Sequence, residues 1–145
     1  MSYWCYVNGL INICVSGMSQ DECDNEVSKI LTSLPIPLNQ QHDDNQSISV
    51  FVNKHDGFNC CSGGPDGFNS WQTCYSLTLH GNLRYTYFDE AMEQIMDMLD
   101  RIKKVCGIDF VLINIDGYDK LGFDHIIKTI DKKTWEERYN EHHWL

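Results

Sequence analysis

The stretch from residue 86 to residue 115 constrains the fold more than any other part of the chain. It reads as a long amphipathic helix that feeds, across one glycine, into an apolar strand. Phe88, Ala91, Met92, Ile95, Leu99, Ile102, Val105 and Cys106 recur at steps of three and four, which lines them along one side of a helix. Thr86, with Asp89 three positions on, has the spacing of a capping box. Asp89, Glu90 and Glu93 crowd the first turns and Arg101, Lys103 and Lys104 the last, the order that the helix dipole favours. Gly107 is placed to end the helix in a left-handed conformation. The run 110–115 (Phe-Val-Leu-Ile-Asn-Ile) is almost unbroken, as in a central strand covered on both faces.

The segments before it supply partners. Residues 3–15 read as a strand in which Ile11, Ile13 and Val15 alternate with polar positions, and Asn8-Gly9 interrupts it as a bulge or hairpin turn would. Ser19 to Glu22 is a capping box opening a helix whose Cys23, Val27, Ile30, Leu31 and Leu34 share a face, and Pro35 and Pro37 stop it. Residues 39–46 are wholly polar and predict a loop. Residues 47–52 and 73–80 alternate as strands, and Gly81-Asn82 turns the chain towards the long helix. The order strand, helix, strand, strand, helix, strand predicts an α+β fold: a ferredoxin-like βαββαβ antiparallel sheet with two helices on one face. Residues 1–145 form one domain in this reading, with a core at 1–116 and a C-terminal extension at 117–145. Within the extension, residues 125–130 suit an edge strand, and 131–143 a charged helix with Trp135 and Tyr139 four apart.

Charge narrows the partners. The chain has 21 acids against 11 Lys and Arg, a formal net charge of -10, which disfavours direct nucleic-acid binding. No apolar run approaches the ~18 residues of a membrane span. Seven cysteines in no recognisable framework read as reduced thiols, and hence as a cytoplasmic protein.

The loop from residue 54 to residue 72 is the candidate site. It holds the tetrad Asp-Gly-Phe-Asn twice, at 56–59 and 66–69, around Cys60 and Cys61, with Trp71 just after. Asp-Gly and Asn favour tight turns, so the alternatives are an ordered hairpin with its rings tucked in and a binding loop that presents them. The binding reading takes Asp56, Phe58, Cys60, Cys61, Asp66, Phe68 and Trp71 as partner-binding residues, since aromatic anchors dominate interfaces. His55, Cys60, Cys61 and Cys74 lack zinc-knuckle spacing, and no cofactor motif is present, so no metal and no cofactor are expected. Cys60 or Cys61 with His55 or His80 would make a thiol nucleophile and base, but no transferase or protease signature surrounds them, and no catalytic residue is assigned.

The run Tyr-Val-Asn-Gly-Leu-Ile at 6–11, the cap near Gln20, the Leu34-Pro35 stop, Asp-Gly-Phe-Asn-Cys at 56–60 and Leu-His-Gly-Asn-Leu-Arg at 79–84 resemble a recurring pattern. It is similar to that of small uncharacterised proteins encoded by bacteriophages and integrated mobile elements, over most of residues 6–115. The resemblance implies an accessory protein in the host cytoplasm and carries no activity with it. The resulting expectation is a non-enzymatic protein that binds and inhibits a host defence or nucleic-acid-processing protein with a basic surface. The alternative is a small-molecule binder or sponge for a nucleotide signal, using Lys54, Arg84 or backbone amides. Oligomeric state is not legible at this level.

Overall fold

Strand alternation sorts the chain into one buried side and one open side. The computed structural model describes residues 4–33, 46–61, 70–84, 86–120 and 124–143. In chain order these form β1 (Trp4–Gly17), α1 (Gln20–Ser33), β2 (Gln46–Lys54), β3 (Phe58–Cys61), β4 (Ser70–Arg84), α2 (Phe88–Lys103), β5 (Gly107–Tyr118), β6 (His125–Asp131) and α3 (Lys132–His143). The strands make one antiparallel sheet of order β2-β4-β1-β5-β6, and the short β3 pairs with β4 beyond the end of β2. The architecture is α+β. The four strands and two helices expected in the core are present, the edge strand and charged helix expected in the extension are β6 and α3, and the described residues add the short β3.

β1 is the middle strand, paired with β4 along its whole length and with β5 from Tyr6 to Cys14. Val7, Ile11, Ile13 and Val15 of β1 are buried, as are Tyr75, Leu77, Leu79 and Leu83 of β4 and Val111, Ile113 and Ile115 of β5. Cys23, Val27 and Ile30 of α1, Phe88, Ala91, Ile95, Leu99 and Ile102 of α2, and Trp135 of α3 complete the same cluster. Burying each large apolar side chain contributes about 1.5–3 kcal/mol, which holds the helices on this side.

The helix ends follow local hydrogen bonding. Ser19 Oγ accepts the Glu22 N–H at 3.2 Å, and Glu22 Oε2 accepts the Met18 N–H at 3.1 Å, so α1 opens at the expected cap. α2 starts one residue later than predicted, with Tyr87 as N-cap and its N–H donated to Glu90 Oε1 at 3.2 Å. It also ends earlier. Val105 and Cys106 both donate their N–H to the Ile102 carbonyl at 3.0 Å, Val105 is exposed, and Gly107 is the first residue of β5 rather than a helix cap. α3 is anchored to α2: Trp135 Nε1 donates to Asp100 Oδ1 at 2.9 Å, and Arg138 bridges Glu93 at 2.7 Å and Asp100 at 3.4 Å.

Three readings of the sequence are corrected. β1 passes straight through Asn8-Gly9, in register with His80 and Leu79. Gly9 is needed because a Cβ there would lie 2.3 Å from the Leu112 carbonyl oxygen on β5. Gly81-Asn82 does not turn the chain, since β4 continues to Arg84. Cys14 and Cys74, directly opposite on β1 and β4, are joined in a disulfide, so the cysteines are not all reduced thiols. Leu34, the proline stop, residues 39–45 and the second tetrad lie outside the described residues. Among the described residues, no helix is long and apolar enough to cross a membrane.

Candidate interaction surface

The side chains that alternate with the core residues form the other face of the sheet, and no described helix lies on it. Register places them in rows that cross the strands. One row is polar: Ser49, His80, Asn8, Asn114 and Thr129 stand side by side on β2, β4, β1, β5 and β6. Thr129 Oγ1 donates to Asn114 Oδ1 at 2.6 Å, and Asn114 Nδ2 to Asn8 Oδ1 at 3.4 Å. The next row is largely apolar, with Phe51, Thr78, Leu10 and Leu112. Beyond it Ser76 donates to Asn12 Oδ1 at 2.8 Å, and His55 Nε2 lies 2.7 Å from Ser76 Oγ. That chain is satisfied when His55 carries its proton on Nε2, which leaves the imidazole no acceptor with which to activate Ser76.

β5 departs from the expected strand here. Its apolar run suggested cover on both faces, yet Phe110 and Leu112 are on the open side and 41% and 44% exposed. Tyr6 (50%), Phe51 (69%), Tyr118 (41%) and Ile127 (65%) join them on that side. With Phe58, 51% exposed and set on the same side opposite Gln72, seven large exposed side chains among the described residues share one face, more than single scattered surface residues produce. At the β6 edge, the Tyr118 and His125 rings lie 5.2 Å apart, and His125 Nε2 contacts Asp116 Oδ1. A shallow depression of about 460 Å³ is lined by Tyr6, Asn8, Ser49, His80 and Asn82.

Acids crowd the helical layer, while Asp109 and Asp116 are on the open side. Asp21, Glu22, Asp24 and Glu26 are on α1, Asp89, Glu90, Glu93, Asp97 and Asp100 on α2, and Glu136, Glu137 and Glu141 on α3. Among the described side chains, no lysine or arginine stands on the open face. Lys128 lies over the Phe88 ring on the helical side, and Lys54 is paired with Asp24 of α1.

The loop residues singled out from the sequence do not converge. Asp56 is exposed in the link between β2 and β3, and Phe58, half exposed, opens β3. Phe58 is opposite Gln72 while Trp71 precedes it, so the two rings lie on opposite sides of the sheet. Cys60 and Cys61 belong to β3, with Cys61 opposite Ser70. Asp66 and Phe68 lie outside the described residues. The pairing of Cys60 or Cys61 with His80 is ruled out by register: ten residues of β4 separate Ser70 from His80, roughly 33 Å. The free thiols of Cys5 and Cys106 are no better placed as nucleophiles. Burial, then Asp116, pushes Cys5 up to about 12, and burial pushes Cys106 up to about 11.

Trp71 is not a free anchor. It is half buried against the core, and its ring N–H donates to Gln20 Oε1 at 3.1 Å and Thr73 Oγ1 at 3.0 Å. A Cβ on Gly57 would fall 2.3 Å from that nitrogen, so the glycine of the first tetrad makes room for the ring. Next to it, Tyr75 donates to Asp24 Oδ1 at 2.7 Å, Gln20 Nε2 to the same oxygen at 3.0 Å, and Lys54 to Oδ2 at 3.2 Å. These bonds, that of Tyr75 first, hold the Asp24 carboxyl below the usual carboxylate range. A carboxyl lowered in the folded state favours folding above its unfolded value near 3.9, and loses that contribution as pH falls through the folded value. Asp24→Asn is therefore expected to lower the urea midpoint at about pH 7, and to shrink the further loss between about pH 5 and pH 2. Equal acid sensitivity in parent and variant would contradict the assignment.

No family model matches the chain, and no match was found among curated proteins or among solved structures.

Proposed function

We propose that this chain is a non-catalytic interaction protein that binds a protein partner through the open face of its sheet. The observation that carries the proposal is the set Tyr6, Phe51, Phe110, Leu112, Tyr118 and Ile127, 41–69% exposed on one side of a sheet whose other side holds the helices. Apolar and aromatic groups interleaved with amides suit a protein surface, where rings fill pockets and amides pair with backbone. Among the described side chains the face shows no lysine or arginine of the kind that binds phosphates or anionic lipids, which favours a protein partner.

The strand order β2-β4-β1-β5, with α1 and α2 as crossovers, supports a ferredoxin-like core enlarged by β3, β6 and α3. The narrower reading is an inhibitor of a host defence or nucleic-acid-processing protein. It is supported by the resemblance to phage and mobile-element proteins and by the acids of the helical layer, which would steer the chain towards a basic partner. A nucleotide sponge ranks second, because the depression beside Tyr6 and His80 has no described cation in its lining, and Lys54 is held by Asp24.

Affinity capture from host lysate tests the proposal. The parent is expected to retain a partner that Phe51→Asp and Leu112→Asp each lose by at least about tenfold, in line with hot-spot truncations. Val105→Asp, an exposed change on the turn after α2, is expected to leave capture intact. Undiminished capture by both face variants would refute the proposal.

A further inference from the structure

Cys14, Cys74 and Asp109 form a group that the contact surface does not explain. β1 and β4 set the two cysteines directly opposite, with Cα atoms 4.3 Å apart. The pairing of β1 with β5 shifts between Asn12 and Ile13, and this irregularity brings Asp109 to the same place. Both sulfurs and a carboxylate oxygen then lie within 4.8 Å of one another, half exposed or exposed.

The contact depends on the oxidation state of the pair. Asp109 Oδ2 lies 2.8 Å from Cys14 Sγ, a hydrogen bond if the sulfur bears a proton. A disulfide sulfur bears none, so in the oxidised pair this contact is not a hydrogen bond. In the reduced pair a thiol proton makes it one, and a cation in place of the two thiol protons would hold both thiolates and the carboxylate together. The ligand set selects the cation. Two thiolates suit a borderline or soft divalent ion such as zinc, whereas magnesium and calcium require six or more oxygens. Zinc–sulfur bonds of about 2.3 Å in tetrahedral geometry put two sulfurs about 3.8 Å apart, so the pair must be reduced and its sulfurs must part from their bond before the ion can enter.

We propose that the reduced form of this pair, together with Asp109, is a binding site for one zinc-class divalent cation, with its fourth position open to solvent. A dithiol reductant opens the disulfide by thiol–disulfide exchange and is itself oxidised to a disulfide, leaving two thiols. On binding, their two protons leave to solvent, two sulfur–metal bonds and one oxygen–metal bond replace bonds to the ion's waters, and the metal keeps its oxidation state. The disulfide form has no thiolate to offer and does not bind. His55 is next along the row, but its ring is engaged with Ser76.

The test uses the full chain with Cys60→Ser and Cys61→Ser, so that the adjacent cysteines of β3 cannot contribute. The protein is reduced with a phosphine, freed of it without air, and titrated with Co(II) and then with Zn(II) against a chromophoric chelator. One equivalent of Co(II) is expected to bind with a near-ultraviolet thiolate charge-transfer band, to release two protons, and to be displaced by Zn(II). The oxidised protein is expected to show no band, and Cys14→Ser is expected to lose it. Asp109→Asn, which keeps both cysteines and their disulfide, is expected to weaken binding at least tenfold while retaining the band. A reduced protein without the band, a band that survives in Cys14→Ser, unchanged affinity in Asp109→Asn, or equal binding by reduced and oxidised forms would each overturn the proposal.

Discussion

Trp135→Ala is expected to destabilise the protein by about 3–5 kcal/mol, the range for truncating a large buried aromatic side chain. Trp135 is 1% exposed and is the largest of the fully buried side chains among the described residues. Its ring packs 5.6 Å from that of Tyr139, and its N–H donates to Asp100 at 2.9 Å. The truncation leaves a cavity between α3, α2 and the sheet, and it takes one donor from an Asp100 side chain that is only 14% exposed. In a chain of this size the loss corresponds to a fall in Tm on the order of 10 °C. Trp135→Phe separates the two contributions. It keeps most of the ring, and is expected to cost about 1–3 kcal/mol for the lost hydrogen bond and the smaller volume. Urea unfolding of the three proteins is the measurement. A near-neutral Trp135→Ala would mean that α3 is not part of the core.

Gly9→Ala is the second change with a large expected effect. The added methyl would sit 2.3 Å from the Leu112 carbonyl oxygen and 2.6 Å from the Ile113 Cα. Both are backbone atoms of the neighbouring strand and cannot swing aside, so β1 and β5 must part locally. The expected cost is about 3 kcal/mol, the upper end for overpacking, with faster amide exchange along β5. Gly107→Ala is the control. There the nearest atom is the Cys14 carbonyl oxygen at 3.8 Å, an ordinary contact, and the change is expected to stay within about 0.5 kcal/mol. Similar stabilities for the two variants would place β5 further from β1 than the register requires.

The Gly9 comparison shows what a linear reading misses. Asn8-Gly9 carries the chemistry of a turn, but the reason for the glycine is a strand that arrives about a hundred residues later. The same holds for Cys14 and Cys74, which are 60 residues apart and meet only through the register of β1 with β4. Local periodicity did reveal α2, because Phe88, Ala91, Ile95, Leu99 and Ile102 meet one continuous sheet surface. It failed past Lys103, where Val105 keeps the spacing but the chain has left the helix.

The exposure of the open face was not legible for a related reason. Phe110 and Leu112 look like core residues because an apolar side chain awaiting a partner and one under a helix read the same. A signal did exist. Asn8 and Asn12 on one strand, and Ser76, Thr78 and His80 on another, mark that side of the sheet as uncovered once the pairing is known. The glycine of the first tetrad, Gly57, makes room for Trp71.

The central claim is that the open sheet face, not the helical side, makes the contact. Hydroxyl-radical footprinting of the chain with and without its captured partner tests this directly, because it reads side chains of both regions in one experiment. The claim predicts protection of Tyr6, Phe51, Phe110 and Tyr118, with Met18 beside α1 and Val105 beside α2 oxidised as in the free chain. Protection of Met18 and Val105, with the four rings of the open face reacting as before, would contradict it.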